Sequence, residues 1–304
     1  MHQVASLHYL DDVSQGEIAE RLGTSRATVS RVLAEARASG MVRIEILEPE
    51  DSETEALADR LAAALDLDRV HLSGGSTLGP VGVALAPALS AALRSVGLEP
   101  GDVLLLSSGR TVYEAAQAEL PSLPGVLVAP TVGGQDDPEI WYATNEITRQ
   151  VALKVGGAPN FLYAPALPAG ELYETLQSDP NFRRVLELWN TARCAVVGIG
   201  APPLIRTSLP RFVQDQRSYL QDAVGDLCTR FYDRDGEPVM FPGAERLVAT
   251  GLQRLRGVSV TIGLAAGSEK LPSILAAVRG GYLDQLVTDT ATATALVELT
   301  EDGA

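Results

Sequence analysis

Ser107-Ser108-Gly109-Arg110-Thr111 stands directly behind an apolar run, Val103-Leu104-Leu105-Leu106. A hydroxyl-rich loop with one glycine and one arginine, set between a strand and a helix start, has the parts of an anion cradle. Backbone N–H groups point out of the helix start, and the guanidinium adds charge-assisted bonds. An ordinary strand-to-helix loop with a capping serine has the same letters, and on the residues alone both readings stand. Gly133-Gly134 follows the apolar segment 125–130. It either lets backbone approach a ligand or makes a plain turn. Asn145 and Glu146 open a helical segment. Each serves a ligand or simply the helix, Asn145 as a cap and Glu146 against the dipole. Glu269-Lys270 opens another. A lysine in a first turn opposes the helix dipole, so Lys270, with Glu269 beside it, either meets an anion or hydroxyl or extends into solvent.

A second cluster lies near the N-terminus. Ser25, Arg26, Thr28, Ser30 and Arg31 crowd the start of a helix that follows a turn at Gly23. Short hydroxyls and a helix N-terminus suit phosphate oxygens. Arg26 and Ala27 stand where a recognition helix presents side chains to base edges. Residues 21–43 hold five arginines and one acid, Glu35, inside a chain of net charge −15. A three-helix module without nucleic acid is the plainer alternative. Capping, turn and polar face coincide, which favours a DNA-binding helix-turn-helix.

The elements that position these residues can be read from pattern. A first helix spans about His2–Leu10. Ser14 and Glu17 form a capping box for the next, which turns Ile18, Ala19 and Leu22 inward and stops at Gly23. Ser25 caps a third helix with Val29, Val32, Leu33 and Ala36 on its inner face, and Gly40 stops it. Residues 41–46 alternate like a strand, the wing of a winged variant. Glu48–Ser52 is acidic and broken by Pro49, a linker. Glu53–Asp66 is an amphipathic helix on which Leu57, Leu61 and Leu65 recur every four residues. That narrow stripe suits a second helix and offers a pairing surface between copies. Behind it, strands are predicted at 69–73, 102–106, 125–130, 160–163, 194–199, 258–264 and 284–288. Helices are predicted at 79–96, 110–119, 144–155, 180–190, 268–279 and 290–299. This alternation predicts an α/β chain: a winged helix-turn-helix over 1–47, a linker and oligomerisation helix over 48–66, and a Rossmann-like domain with a mostly parallel sheet over 67–304. Such sheets bind ligands beyond their C-terminal strand ends.

Composition narrows the function. The chain has 304 residues, 46% apolar and 21% charged, with 39 acids against 24 bases. That is globular, and too acidic to coat nucleic acid without specificity. Only Lys154 and Lys270 are lysines. Cys194 and Cys228 sit in apolar runs and read as buried thiols. His2, His8 and His71 show no ligand spacing, so neither a metal nor any other cofactor is expected. No apolar stretch of about 18 residues suggests a membrane span, and no leader pattern opens the chain; the expected location is cytoplasmic.

Given a helix-turn-helix at the extreme N-terminus and a βα domain behind it, the chain resembles the SorC family of sugar-responsive bacterial transcription regulators. The likeness runs over nearly the whole length. SQGEIAERLGTSRATVSRVLAEARASGMVRIEI looks like the family's DNA-binding segment, and SSGRT, NEITRQVALKVGG, VGIGAP, AVGDLCTRFYDRDGEP and SEKLPSILAAVRGGYLDQLVTD look like its effector motifs in order. The resemblance implies operator DNA and a sugar, polyol or sugar phosphate as partners, a homodimer or tetramer, and a C-terminal fold like that of sugar-phosphate isomerases and deaminases. It also implies that Asp226 faces the ligand, in the Gly-Asp step of its motif, and it tips Ser107–Thr111 toward phosphate. Two departures stand out: Ser107-Ser108 replaces a frequent Trp-Gly, and Ala266-Gly267-Ser268 replaces a frequent Gly-Gly.

The runner-up is an isomerase- or deaminase-like enzyme with a DNA-binding head. Asp136, Asp137 and Glu139 offer a general base. Schiff-base chemistry needs a buried lysine. Val132 precedes the glycine pair and Lys154 lies mid-helix, so an imine at that loop is not expected.

Overall fold

A computed structural model describes residues 1–11, 13–39, 41–42, 52–74 and 79–301. They fall into two compact units, Met1–Glu50 and Asp51–Ala304.

The first unit holds α1 (His2–Tyr9), α2 (Gln15–Arg21) and α3 (Arg26–Ala38). Ser14 and Glu17 close the expected capping box: the Ser14 hydroxyl accepts from the Glu17 N–H, and the Glu17 carboxylate accepts from the Ser14 N–H. Those bonds hold the Glu17 carboxyl below its usual pKa. Gly23 follows at φ +60°, the left-handed step that ends a helix, and Ser25 Oγ accepts the Thr28 N–H at 3.1 Å to start α3. Val4, Ile18, Ala19, Val29 and Leu33 form a small core. Leu22, expected inside, is exposed, because α2 has already ended at Arg21. The expected wing strand falls largely on 43–46, outside the described residues.

The second unit runs α4 (Ser52–Leu65), β1 (Arg69–Ser73), α5 (Val81–Val96), β2 (Val103–Leu106), α6 (Arg110–Gln117), β3 (Leu127–Pro130), α7 (Thr144–Val155), β4 (Ala158–Pro159), α8 (Gly170–Ser178), α9 (Pro180–Asn190), β5 (Ala192–Gly198), α10 (Arg211–Gln214), β6 (Gly225–Leu227), β7 (Arg230–Tyr232), β8 (Pro238–Val239), α11 (Leu252–Leu255), β9 (Val260–Leu264), α12 (Leu271–Arg279), β10 (Gln285–Asp289) and α13 (Thr290–Glu301). Seven strands pair in parallel in the order β1-β10-β9-β5-β2-β3-β4. Both faces are covered. Leu104 and Leu106 of β2 point into a layer with α5, α6 and α7, while Val103 and Leu105 point into one with α4, α9, α12 and α13. Burial on both faces explains why these strands read as unbroken apolar runs.

The chain steps outward from β2 through β3 to β4, then returns to β5 beside β2 and winds the other way through β9 and β10. The order therefore reverses between β2 and β5, and a crevice opens beyond their C-terminal ends.

The structure differs from the expectations at three points. No strand forms at 160–163; β4 stops at Pro159. The Asn145 side-chain amide takes both the N–H and the C=O of Leu162, at 3.0 and 3.1 Å, in place of a neighbouring strand. The Leu57/Leu61/Leu65 stripe, expected to offer a pairing surface, is covered within its own unit. Leu61 and Leu65 are buried in this unit's own core with Leu57 packed against them, and α4 lies on α13 and β1. Finally, β6, β7 and β8 form a small antiparallel sheet that pattern reading missed, since strands of two or three residues carry no alternation to detect.

Candidate effector cleft and DNA-binding head

A cleft of about 610 Å³ lies at the crevice where the strand order reverses. Three strand-end loops build it. Behind β2, Ser107 is buried; its Oγ accepts the Gly198 N–H at 2.9 Å and donates to the Ser108 carbonyl. Ser107 thus ties β2 to β5 and does not line the cleft. Ser108, Gly109, Arg110 and Thr111 do. Gly109 sits at φ +121°, which side chains rarely adopt, and its N–H donates to the Trp141 carbonyl at 2.9 Å. No side chain among the described residues caps α6, so the helix opens into the cleft with its N–H groups uncapped by protein side chains. The Arg110 guanidinium lies 4.5 Å from the centre of the Trp141 ring, stacked on it.

Behind β5, the segment from Ile199 to Pro210 forms the facing wall. Arg206 Nη1 lies 2.6 Å from Asp226 Oδ1, a half-buried ion pair. Asp226 itself is buried, and its carbonyl accepts the Gly200 N–H. A side chain at Gly200 would collide with Asp226 and Arg206, so this glycine makes room for the pair. Behind β9, Glu269 and Lys270 complete the rim. Lys270 Nζ donates to the Ile199 carbonyl at 2.7 Å. Burial, then the nearby Arg206 charge, pull the Lys270 ammonium down from 10.5 to about 8. Hydroxyls of Ser108, Thr111, Thr207, Ser208 and Thr229 stand among these charges.

Thr229 comes from the turn between β6 and β7. Leu227 pairs with Arg230, leaving Cys228 and Thr229 as a two-residue turn at φ +52° and +60°. Hairpins of this type demand positive φ at both positions and usually place Asn or Gly there. Here a β-branched threonine bears the strain at the cleft wall.

Of the expected ligand contacts, Ser108, Gly109, Arg110, Thr111, Asp226, Glu269 and Lys270 converge on this cleft. Ser107, Gly133, Gly134 and Asn145 do not. Gly133 presses against the Ala164 and Pro165 backbone, where any Cβ would clash, so its close approach is to the chain and not to a ligand. Gly134 bridges Pro165. Asn145 is spent on Leu162. Glu146 pairs with Arg149 at 2.6 Å, a bond that lowers its pKa. Sequence reading missed Arg206, in an irregular segment, and Trp141, in the short 3-10 turn Ile140–Tyr142; only their proximity in space marks them. Asp137, weighed as a general base, accepts the Arg211 N–H at the start of α10 and does not line the cleft. Cys194 and Cys228 are buried thiols, pushed up to about 12 by desolvation.

In the other unit, Arg26, Ala27, Ser30 and Arg31 are exposed along the first turns of α3, with Thr28 half-buried between them. The Ser25 and Thr28 hydroxyls bond each other at 2.9 Å, which locks the turn that aims this face.

Residues 51–298 match the model of the Sugar-bind family, a sugar-binding domain, and residues 3–52 match the MarR family model. The chain is 30% identical to the sorbitol operon regulator of Klebsiella pneumoniae, covering 97% of this chain and 96% of that protein. The deoxyribonucleoside regulator of Bacillus subtilis (strain 168) is likewise 30% identical with the same coverage. The chain belongs to the SorC family of transcriptional regulators. The crystal structure of the full-length Klebsiella SorC superposes with a TM-score of 0.75 at 29% identity over 97% of each chain. A structure of a probable sor operon regulator from Shigella flexneri gives 0.72 at 26% identity, covering 81% of this chain and all of that one. This SorC-family member is accordingly a DNA-binding transcriptional regulator with a sugar-binding domain, and not an enzyme. No helix among the described residues is long and apolar enough to cross a membrane, and no group of metal-binding side chains occurs among them.

Proposed function

We propose that this regulator controls carbohydrate genes by taking a sugar or polyol, carrying an anionic group such as phosphate, into the cleft at the strand-order reversal. The observation that carries this reading is the convergence of Arg110, Arg206 and Lys270 from three separate loops around one cleft. With hydroxyls and the Asp226 and Glu269 carboxylates between them, the site matches a ligand with one anionic end and several hydroxyls. The names of the two relatives, sorbitol and deoxyribonucleoside, both denote polyhydroxyl chemistry. In this assignment Ser108–Thr111 and the open end of α6 hold the anion, Lys270 holds a second polar group, and Asp226 accepts hydroxyls. Ser25, Arg26, Ala27, Thr28, Ser30 and Arg31 meet operator DNA, with the head in 1–47, the effector domain in 67–304, and residues 48–66 joining them. The regulator works as a homo-oligomer in the cytoplasm.

A ligand clamped between loops favours one arrangement of the domain and so one spacing of the heads. The test is a thermal-shift panel of sugars, polyols and their phosphates, followed by operator shift assays. A true effector at one hundred times its Kd stabilises by about 2.7 kcal/mol. Arg110→Ala is expected to abolish that shift and the operator response while the ligand-free protein still binds DNA, and phosphorylated ligands are expected to suffer most. Wild-type affinity in Arg110→Ala overturns the site; lost DNA binding without ligand makes Arg110 a fold residue.

A further inference from the structure

A second cavity, of about 700 Å³, lies between α8–α9 and the 245–257 segment, with none of its lining residues shared with the cleft. Its floor is apolar and aromatic: Tyr173, Phe182, Leu186 and Trp189. Its charged groups are Arg230, Arg254 and Glu245.

Arg230 is the unusual one. It follows Thr229 directly, yet Thr229 lines the cleft and Arg230 the second cavity. Its guanidinium donates to three carbonyls, those of Ala244, Leu247 and Ala249, at 2.8, 2.7 and 3.2 Å. No carboxylate is among its partners within the described residues, and its Nε is buried without an acceptor. Desolvation lowers the Arg230 pKa. Partly buried charge without a counter-charge costs free energy that an anion would recover. Arg254 stands on the rim, its guanidinium 6.0 Å from the centre of the Trp189 ring. Glu245 is exposed and turned to Arg246 at 3.4 Å, so it does not neutralise Arg230.

We propose that this cavity is a second ligand site, taking a small organic anion with a flat apolar body, of the aromatic-carboxylate class. The body lies against Phe182, Leu186 and Trp189, and the carboxylate faces Arg230 and Arg254. The site stands independently of the effector assignment above.

The chain's 2 tryptophans make a direct test, because Trp141 lines the cleft and Trp189 the second cavity. In Trp141→Phe, Trp189 is the sole indole. Titration of the full-length variant with benzoate is expected to change its emission saturably, while neutral benzamide binds about tenfold more weakly or not at all. Adding Arg254→Gln, an exposed change that leaves the fold alone, is expected to weaken benzoate about three- to tenfold without altering the melting temperature. No saturable response to benzoate, equal binding of benzamide, or benzoate affinity untouched by Arg254→Gln overturns the proposal.

Discussion

Lys270 is the residue on which the cleft's pH behaviour turns. Its ammonium faces Arg206, which lowers its pKa, and Asp226 and Glu269, which raise it; burial dominates and brings it to about 8. The charged form therefore prevails below about pH 8 and is lost above it. An anionic effector prefers the charged form, so its affinity is expected to fall as pH rises through 8, and binding near that pH is expected to take up a proton. Calorimetry in two buffers of different ionisation enthalpy measures the proton directly, and Lys270→Met should erase the uptake. A neutral polyol is expected to show far less pH dependence. The stability linkage has the opposite sense. Between about 8 and 10.5 the unfolded chain holds the proton and the folded chain has released it, so the contribution of Lys270 to stability rises with pH across that window.

Among the elements, α4 shows how a correct periodicity leaves the partner of its stripe open. The four-residue spacing of Leu57, Leu61 and Leu65 specifies a helix with a narrow apolar stripe, and the helix forms at Ser52–Leu65. Spacing does not say what covers the stripe. In the folded chain α13 and β1 cover it, with Leu61 fully buried. Leu61→Ala is therefore expected to destabilise the effector unit by about 2–5 kcal/mol, the cost of a core cavity, and to leave the oligomeric state of the folded protein unchanged. Denaturant unfolding followed by sedimentation of the folded fraction separates the two effects; dissociation at unchanged stability would restore the stripe as an interface.

For the whole molecule, the charge balance sets the expectation. A head with five arginines and one acid between residues 21 and 43, on a chain of −15, holds DNA weakly as a single copy. Two heads on one assembly raise the effective concentration of the second and meet two half-sites. Sedimentation at micromolar concentration is expected to show at least a dimer, with operator affinity that falls steeply as salt rises. A monomer with full operator affinity would refute it. Effector binding is expected to change operator affinity by no more than its own difference in affinity for the two arrangements.

The sequence by itself determined the local elements: the Ser14–Glu17 box, the Gly23 turn, the apolar strands, and the loops ending in Arg110 and Lys270. These are encoded by neighbours a few residues apart, where capping, periodicity and glycine conformation act. Tertiary structure alone decided which loops meet. Asp226 is drawn to Arg206 across 20 residues, and Lys270 to Ile199 across 71. Asn145, Gly133 and Gly134 carry equally suggestive letters but are spent on the chain's own backbone. The reason is the sheet order. Strands distant in sequence, β5 beside β2 and β1 beside β10, become neighbours only in the assembled sheet, and no local pattern records that order.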